Sequence, residues 1–156
     1  MSATEHPEFP VLVVDDEPNI VNALRRELAT PPLGRYRYAV EGFTDPAQAL
    51  ERARQKSFAA VISDYRMPEM DGVRLLEAFA EKQPDCARIL LSGVAGMDDV
   101  IAAIDLAHIH GYLAKPWVDF ELRAAVAQAL AQRQLTIENR VLASMCRARN
   151  LGYAEG

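Results

Sequence analysis

The sequence is poor in cysteine and histidine and contains no long apolar run. Its two cysteines, Cys86 and Cys146, are far apart and lack the spacing of metal ligands, so we expect reduced thiols without a catalytic role. The three histidines form no motif. No apolar stretch approaches the roughly 18 residues of a membrane span, and the opening MSATEHPEFP is too polar for a signal sequence. We therefore expect a cytoplasmic protein that makes no membrane contact.

The sequence also lacks an excess of positive charge. Its formal net charge of -5 disfavours direct binding to nucleic acid or to anionic membranes, because both reward a basic surface. A negative charge leaves protein partners open. At 156 residues, with 50% hydrophobic and 25% charged residues, the chain has the size and balance of one globular domain.

Short apolar runs alternate with amphipathic segments along most of the chain. We predict strands in five runs: VLVV (11–14), YRYAVEGF (36–43), FAAVIS (58–63), ARILLS (87–92) and GYLA (111–114). Helices are predicted at about 18–29, 44–56 with Asp45 as N-cap, 72–82 and 97–107, and from about Asp119 onward. Each connection is too long for a hairpin and each strand is predicted to be buried. The pattern therefore predicts an α/β fold with a doubly wound parallel sheet and helices on both faces.

The end of the chain differs from the rest. Residues 133–156 are polar and favour a helix, with Ile137, Val141 and Met145 at four-residue spacing. Two interpretations stay open: a solvated extension of the last helix, or a helix that dimerises or passes a signal. We predict an N-terminal tail over 1–9, a folded domain over 10–132 and a helical extension or linker over 133–156.

Polar side chains lie at the carboxyl ends of four predicted strands. Asp15 and Asp16 follow the first strand, Asp64 the third, Ser92 the fourth and Lys115 the fifth. Singly, each has an ordinary structural explanation, such as a helix N-cap. Together they lie where an open parallel sheet forms its functional crevice. Converging carboxylates favour a hard cation such as Mg2+, and a lysine with a hydroxyl favours an anion, so the set predicts a carboxylate that receives a phosphoryl group.

Four segments carry a resemblance to a known family: VLVVDDEP, VISDYRMPEMDG, ILLSG and GYLAKPW. Over about residues 10–132 the chain resembles the receiver domain of two-component response regulators. That resemblance implies a flavodoxin-like strand order 2-1-3-4-5 and a signalling module rather than an enzyme. KPW with YRMPEMDG also resembles receivers attached to HD-GYP cyclic-di-GMP phosphodiesterases and to some transcriptional activators.

The resemblance implies a phosphoacceptor and a metal site. Asp64 matches the residue that takes a phosphoryl group from a histidine of a sensor kinase or phosphotransfer protein and later loses it to water. Asp15 and Asp16, with Asp64 and the backbone carbonyl of Arg66, match the groups that organise Mg2+.

The resemblance also implies a switch. Ser92 matches the switch hydroxyl and Tyr112 the aromatic residue that turns inward on phosphorylation, while Lys115 matches an invariant lysine with a cis bond to Pro116. The face formed by helix four, strand five and helix five is implied to change shape. It would then control protein contacts, a possible homodimer or an attached output domain.

Four positions near the predicted site invite specific interpretations. Arg66 could contact the phosphoryl group, pair with a carboxylate or be solvated, and Val94 is apolar where a polar side chain could position water. We expect both to tune dephosphorylation, whereas Gly93 leaves space for the phosphodonor. Trp117 is either partly buried at the start of helix five or an anchor in an interface.

Two other functions share part of this residue pattern. A haloacid-dehalogenase-like phosphohydrolase with Asp64 as nucleophile would place a second acid two residues later, where this chain has Arg66. A degenerate receiver that binds partners without phosphorylation would not need the complete set of acidic, hydroxyl and lysine residues. We therefore favour the phosphorylated receiver.

Overall fold

The computed structural model describes residues 8–29, 37–93 and 97–154. Within these ranges five strands alternate with five helices. The elements are β1 Glu8–Val14, α1 Pro18–Ala29, β2 Arg37–Phe43, α2 Pro46–Gln55, β3 Ala60–Asp64, α3 Gly72–Lys82, β4 Ala87–Ser92, α4 Met97–Ala107, β5 Gly111–Ala114 and α5 Asp119–Ala154.

The five strands form one parallel sheet in the order β2-β1-β3-β4-β5. Successive side chains point to opposite faces, so Val11 and Val13 join one core cluster while Leu12 and Val14 join the other. The first cluster includes buried residues of α1 and α5, and the second includes buried residues of α2, α3 and α4. The predicted doubly wound sheet with its strand order is confirmed.

The strands are not equally buried, which corrects one expectation. Every residue of β3 and β4 is buried, whereas β2 contains no fully buried residue and β5 contains one, Leu113. The prediction that each strand is buried was therefore wrong for the two edge strands. An edge strand has a neighbour on one side only, and the sequence pattern does not reveal which strands lie at the edges.

Strand β1 begins earlier than predicted. Glu8 pairs with Arg37 and Phe9 with Tyr38, so these two residues belong to the sheet rather than to the predicted tail over 1–9. The pairing with β3 begins only at Val11. Residues 8–10 therefore have a strand on one side only, where Pro10 is tolerated and no continuous apolar run is required.

Helix α5 continues far past the sheet. It runs for 36 residues, and its described side chains from Gln134 to Arg149 are exposed apart from the half-buried Ile137. Its middle part contacts the loop before β4, because Arg133 Nε donates to the carbonyl of Asp85 at 2.7 Å and Arg140 pairs with the Asp85 carboxylate at 2.6 Å. No helix in the described part of the chain is both long and apolar enough to cross a membrane.

Candidate functional site

The parallel register brings the predicted site residues to one edge of the sheet. Val14 pairs with Ser63, so Asp15 follows β1 beside Asp64, the last residue of β3. The backbone N–H of Lys115 donates to the carbonyl of Ser92, the last residue of β4, at 2.8 Å. The four strand ends therefore face a common crevice, as expected for an open parallel sheet.

Three carboxylates lie together at the centre of this crevice. Oxygen atoms of Asp15, Asp16 and Asp64 lie within 4.8 Å of one another. Asp15 and Asp64 are buried and Asp16 is exposed, so the group combines a dry inner side with access from solvent. Such a set of hard oxygen ligands fits a divalent cation that keeps some of its waters.

The pKa shifts of the buried carboxylates also favour a cation at this cluster. Burial raises the pKa of Asp15, although hydrogen bonds from Lys115 and from the N–H of Glu17 act against it. Burial, followed by the charge of Asp15, raises the pKa of Asp64. Two crowded carboxylates with raised pKa values gain from a cation placed among them.

Lys115 supplies part of that positive charge. Its Nζ lies 2.8 Å from Asp15 Oδ2 and 3.1 Å from Asp64 Oδ1. Burial alone would lower the pKa of Lys115, but its hydrogen bonds and charge interactions with the two carboxylates outweigh that effect and raise it. The lysine is therefore a fixed cation in contact with the Asp64 carboxylate. The peptide bond from Lys115 to Pro116 is cis.

The predicted switch residues lie on β4, which is beside the strand of Asp64, and on β5, the next strand of the sheet. Ser92 is 2% exposed at the end of β4, and Tyr112 on β5 is 38% exposed. Among the described residues, the nearest atom to a Cβ added to Gly93 would be Cβ of Lys115, at 4.0 Å. Val94 lies outside the described residues. Arg66 is exposed at the start of the loop after β3.

The backbone around Asp64 is held by contacts that the sequence did not reveal. Ser63 Oγ donates to the Asp64 carbonyl at 3.0 Å, and the Gly72 N–H donates to the Tyr65 carbonyl at 2.7 Å. A Cβ on Gly72 would lie 2.0 Å from the Asp64 carbonyl oxygen. Only glycine permits this approach of α3 to β3. The Asp-Gly pair was visible in the sequence, but it indicated a turn rather than a close packing contact.

Three residues outside the crevice were also the subject of predictions: Trp117, Cys86 and Cys146. Trp117 is half-buried against the core cluster that contains α1 and α5, and its Nε1 donates to Glu27, which favours the interpretation of a packed aromatic. Cys86 is buried and Cys146 exposed, and both are free thiols. Burial raises the pKa of the Cys86 thiol to about 12, which opposes a nucleophilic role.

Comparison with known proteins identifies the family. Residues 11–127 match the model of the response regulator receiver domain. The chain belongs to this family. It is a receiver module of phosphorylation-dependent signalling, and the resemblance inferred from the four motifs is confirmed.

Three similar proteins place this receiver among its relatives. The hydrogenase transcriptional regulatory protein HoxA of Cupriavidus necator is 36% identical over 125 residues, which cover 80% of this chain and 25% of HoxA. A signal receiver domain of an HD domain-containing protein from Pseudomonas fluorescens is 33% identical, with a TM-score of 0.75 and coverage of 88% and 96% of the two chains. The beryllofluoride-activated NtrC4 receiver domain dimer is 25% identical, with a TM-score of 0.72 and coverage of 80% and 98%.

These relatives also limit what the comparison shows. The receiver spans about a quarter of the length of HoxA, so most of that protein lies outside the match.

Proposed function

We propose that this receiver accepts a phosphoryl group on Asp64 from a phosphohistidine of a sensor kinase or phosphotransfer protein. The observation that carries the proposal is the placement of the Asp64 carboxylate, 3.1 Å from Lys115 Nζ and beside Asp15 and Asp16. A carboxylate oxygen attacks phosphorus, the phosphorus–nitrogen bond breaks, and the imidazole leaves with the electron pair.

The residues around Asp64 hold the transferred group. Lys115 exchanges its contact with the Asp64 carboxylate for a contact with a phosphoryl oxygen, and the Ser92 hydroxyl donates to another. Asp15, Asp16 and Asp64, with the carbonyl of Arg66, would hold Mg2+. The chemistry that a bound ion would supply is neutralisation of negative charge on the phosphoryl oxygens.

Loss of the signal uses the same crevice. Water attacks phosphorus, the oxygen–phosphorus bond breaks, and the Asp64 carboxylate is restored with release of inorganic phosphate. Arg66 and Val94 tune the rate of this step. The receiver thus catalyses its own phosphoryl transfer and dephosphorylation and has no other substrate.

The output is a change of the surface formed by α4, β5 and α5. Ser92 moves toward the phosphoryl group, and Tyr112 moves from its half-exposed position into the space that Ser92 vacates. This surface exposes apolar side chains, including Ile104 and Phe120, which suits contacts with a protein partner. A second copy of the chain and an output domain are the partners we propose.

The helical extension over 133–156 connects this changing surface to a partner. Asp85 pairs with Arg140 and accepts a hydrogen bond from Arg133, so it fixes the path of α5 past the domain over 10–132. Leu135, Leu142 and Met145 on the following turns are 58–63% exposed. We propose that the segment over 133–156 passes the signal or joins a dimer, in preference to being only solvated.

Acetyl phosphate with Mg2+ tests the proposed acceptor. Wild-type protein should gain the mass of one phosphoryl group, and Asp64→Asn should gain none, because an amide oxygen is a poor nucleophile. Asp85→Asn, in the loop before β4 and therefore at the opposite end of the sheet from the crevice, is the matched control and should be phosphorylated normally. Wild type without the added mass would contradict the proposal and favour a degenerate receiver, whereas turnover of phosphate esters that survives Asp64→Ala would favour a phosphohydrolase.

A further inference from the structure

The described part of helix α4 buries few large apolar side chains. Among its described side chains (98–107) the buried ones are Ala103 and Ala107, while Ile101, Ile104 and Leu106 are 48%, 50% and 55% exposed. Two alanines bury much less apolar area than two leucines would, and the hydrophobic stabilisation is correspondingly small. The position of α4 must therefore depend strongly on polar contacts.

One set of polar contacts fixes the carboxyl end of α4. Arg88 of β4 is 6% exposed, and its Nε donates to the carbonyl of Ala107 at 2.9 Å. Its Nη2 donates to the carbonyl of His108 at 3.4 Å, and its Nη1 donates to Cys86 at 2.8 Å. A buried guanidinium that bonds the last carbonyls of a helix also interacts favourably with the negative end of the helix dipole. This end of α4 is thus anchored to the central sheet.

A single hydrogen bond joins the amino end of α4 to the residue after Asp64. The Tyr65 hydroxyl donates to Asp99 Oδ1 at 3.0 Å, and Asp99 belongs to the first turn of α4. This hydrogen bond, together with partial burial, raises the pKa of Tyr65, which keeps the hydroxyl protonated as a donor. The bond connects two positions 34 residues apart in sequence.

The two ends of this hydrogen bond differ in freedom. The backbone of Tyr65 is fixed, because its N–H donates to Leu91 at 2.8 Å and its carbonyl accepts from Gly72 at 2.7 Å. Its ring also packs against the core cluster that contains α3. Asp99, in contrast, lies in the first turn of α4, which follows Ser92 along the chain. Movement of this turn would displace Asp99 and leave Tyr65 in place.

We propose that the Tyr65–Asp99 hydrogen bond holds the first turn of α4 in the unphosphorylated position and opposes the switch. Tyr65 is then a positioning residue, because it holds α4 and does not touch the reacting atoms at Asp64. Arg88 anchors the opposite end of α4, about which the helix turns. The inference rests on the proposed function, since phosphorylation is what draws Ser92 and the following loop inward. The bond breaks when the first turn of α4 moves, so its free energy favours the unphosphorylated state.

Removal of the hydroxyl should therefore favour the activated state. Tyr65→Phe keeps the packed ring and deletes only the hydrogen bond. We expect about fivefold tighter binding of beryllofluoride, a phosphoryl mimic, measured by isothermal titration calorimetry at constant Mg2+. Amide hydrogen exchange in the first turn of α4 should be faster in the unliganded variant than in unliganded wild type, and this comparison requires no phosphorylation.

Variants of the acceptor separate a specific bond from a general loss of structure. Asp99→Ala should reproduce Tyr65→Phe, and the double variant should bind no tighter than either, because both changes delete the same bond. Asp99→Asn keeps an acceptor oxygen and should remain near wild type. Asp98→Asn, in the same turn and exposed, is the matched control and should leave binding unchanged.

The outcomes distinguish this inference from the proposed function. Faster exchange in α4 with unchanged beryllofluoride affinity would make the bond merely structural and overturn the inference, as would unchanged exchange. Additive effects in the double variant would also overturn it. A wild type that binds no beryllofluoride and gains no phosphoryl mass would overturn the proposed function, and the coupling with it.

Discussion

Helices α3 and α4 are neighbours on one face of the sheet, yet they are attached to it in opposite ways. Helix α3 buries Val73, Leu75, Leu76 and Phe79, and its first residue packs directly on the Asp64 backbone. The buried described side chains of α4 are two alanines, and polar contacts hold both of its ends. The candidate site therefore has a rigid wall, which is formed by α3. Its other wall, formed by α4, can shift at a small cost in free energy.

The largest expected effect tests the rigid wall. Phe79→Ala removes a fully buried ring from α3 and should lower the free energy of unfolding by about 3–5 kcal/mol, because the core cannot fill the cavity. Ile104→Ala, a half-exposed position on α4, is the control and should change it by less than about 0.5 kcal/mol. Urea unfolding measures both. Equal losses would remove the distinction between the two helices.

A second change acts where α3 meets the site. Gly72→Ala places a Cβ that would lie 2.0 Å from the Asp64 carbonyl, so β3 and α3 must separate. We expect a loss of about 3 kcal/mol in unfolding free energy and a lower yield of phosphorylated protein. Gly111→Ala, whose nearest contact would be 3.6 Å, should cost much less. A stable Gly72→Ala protein with normal phosphorylation would show that this wall is not rigid.

Much of this arrangement could be predicted from sequence, because parallel strands bring their carboxyl ends to one edge. Asp15, Asp64 and Lys115 were predicted to meet there, and they do. Partners that depend on long-range packing were missed. Nothing in the sequence distinguishes Tyr65 and Asp99, 34 residues apart, from many other polar residues.

Other structural features could not be predicted from the sequence, for related reasons. Arg88 interrupts an apolar run, and its carbonyl partners come from a helix end that only the folded chain brings near. The early start of β1 at Glu8 and the partial burial of β2 and β5 depend on which strands are neighbours. An apolar run indicates a strand that is buried between two neighbouring strands. It does not indicate which strands lie at the edge of the sheet.

A third prediction concerns the anchored end of α4. Arg88→Met fills similar space but leaves the carbonyls of Ala107 and Cys86 without their donor. We expect about 2 kcal/mol lower unfolding free energy and faster hydrogen exchange in the last turn of α4 than in α3. Arg74→Met, on the exposed side of α3, is the control and should have little effect. A uniform increase in exchange across both helices would contradict a local anchoring role.

The smallest expected effect is a pH dependence of the free energy of unfolding, which comes from His110 beside Arg88. Burial, and then the charge of Arg88, lowers the pKa of His110 to about 4, and its Nδ1 accepts a hydrogen bond from the Arg88 N–H at 3.0 Å. Because the folded state resists protonation, this stability is present above about pH 6.5 and is lost as the pH falls toward 4.

The comparison of wild type with His110→Gln isolates that contribution. Glutamine keeps an acceptor oxygen and does not titrate, so its unfolding free energy should fall less across this range, by about 1 kcal/mol after allowance for the partial exposure of the histidine. Thermal unfolding at several pH values measures the difference. Parallel curves for the two proteins would mean that His110 titrates alike in the folded and unfolded states.

The central claim is that the crevice phosphorylates Asp64 and no other carboxylate. The most direct measurement is reduction of the phosphorylated protein with borohydride, which converts an aspartyl phosphate to homoserine, followed by peptide sequencing. The structure predicts homoserine at position 64 alone, and none when Mg2+ is removed by a chelator. Homoserine at the position of Asp15 or Asp16, or none in the presence of Mg2+, would contradict the account.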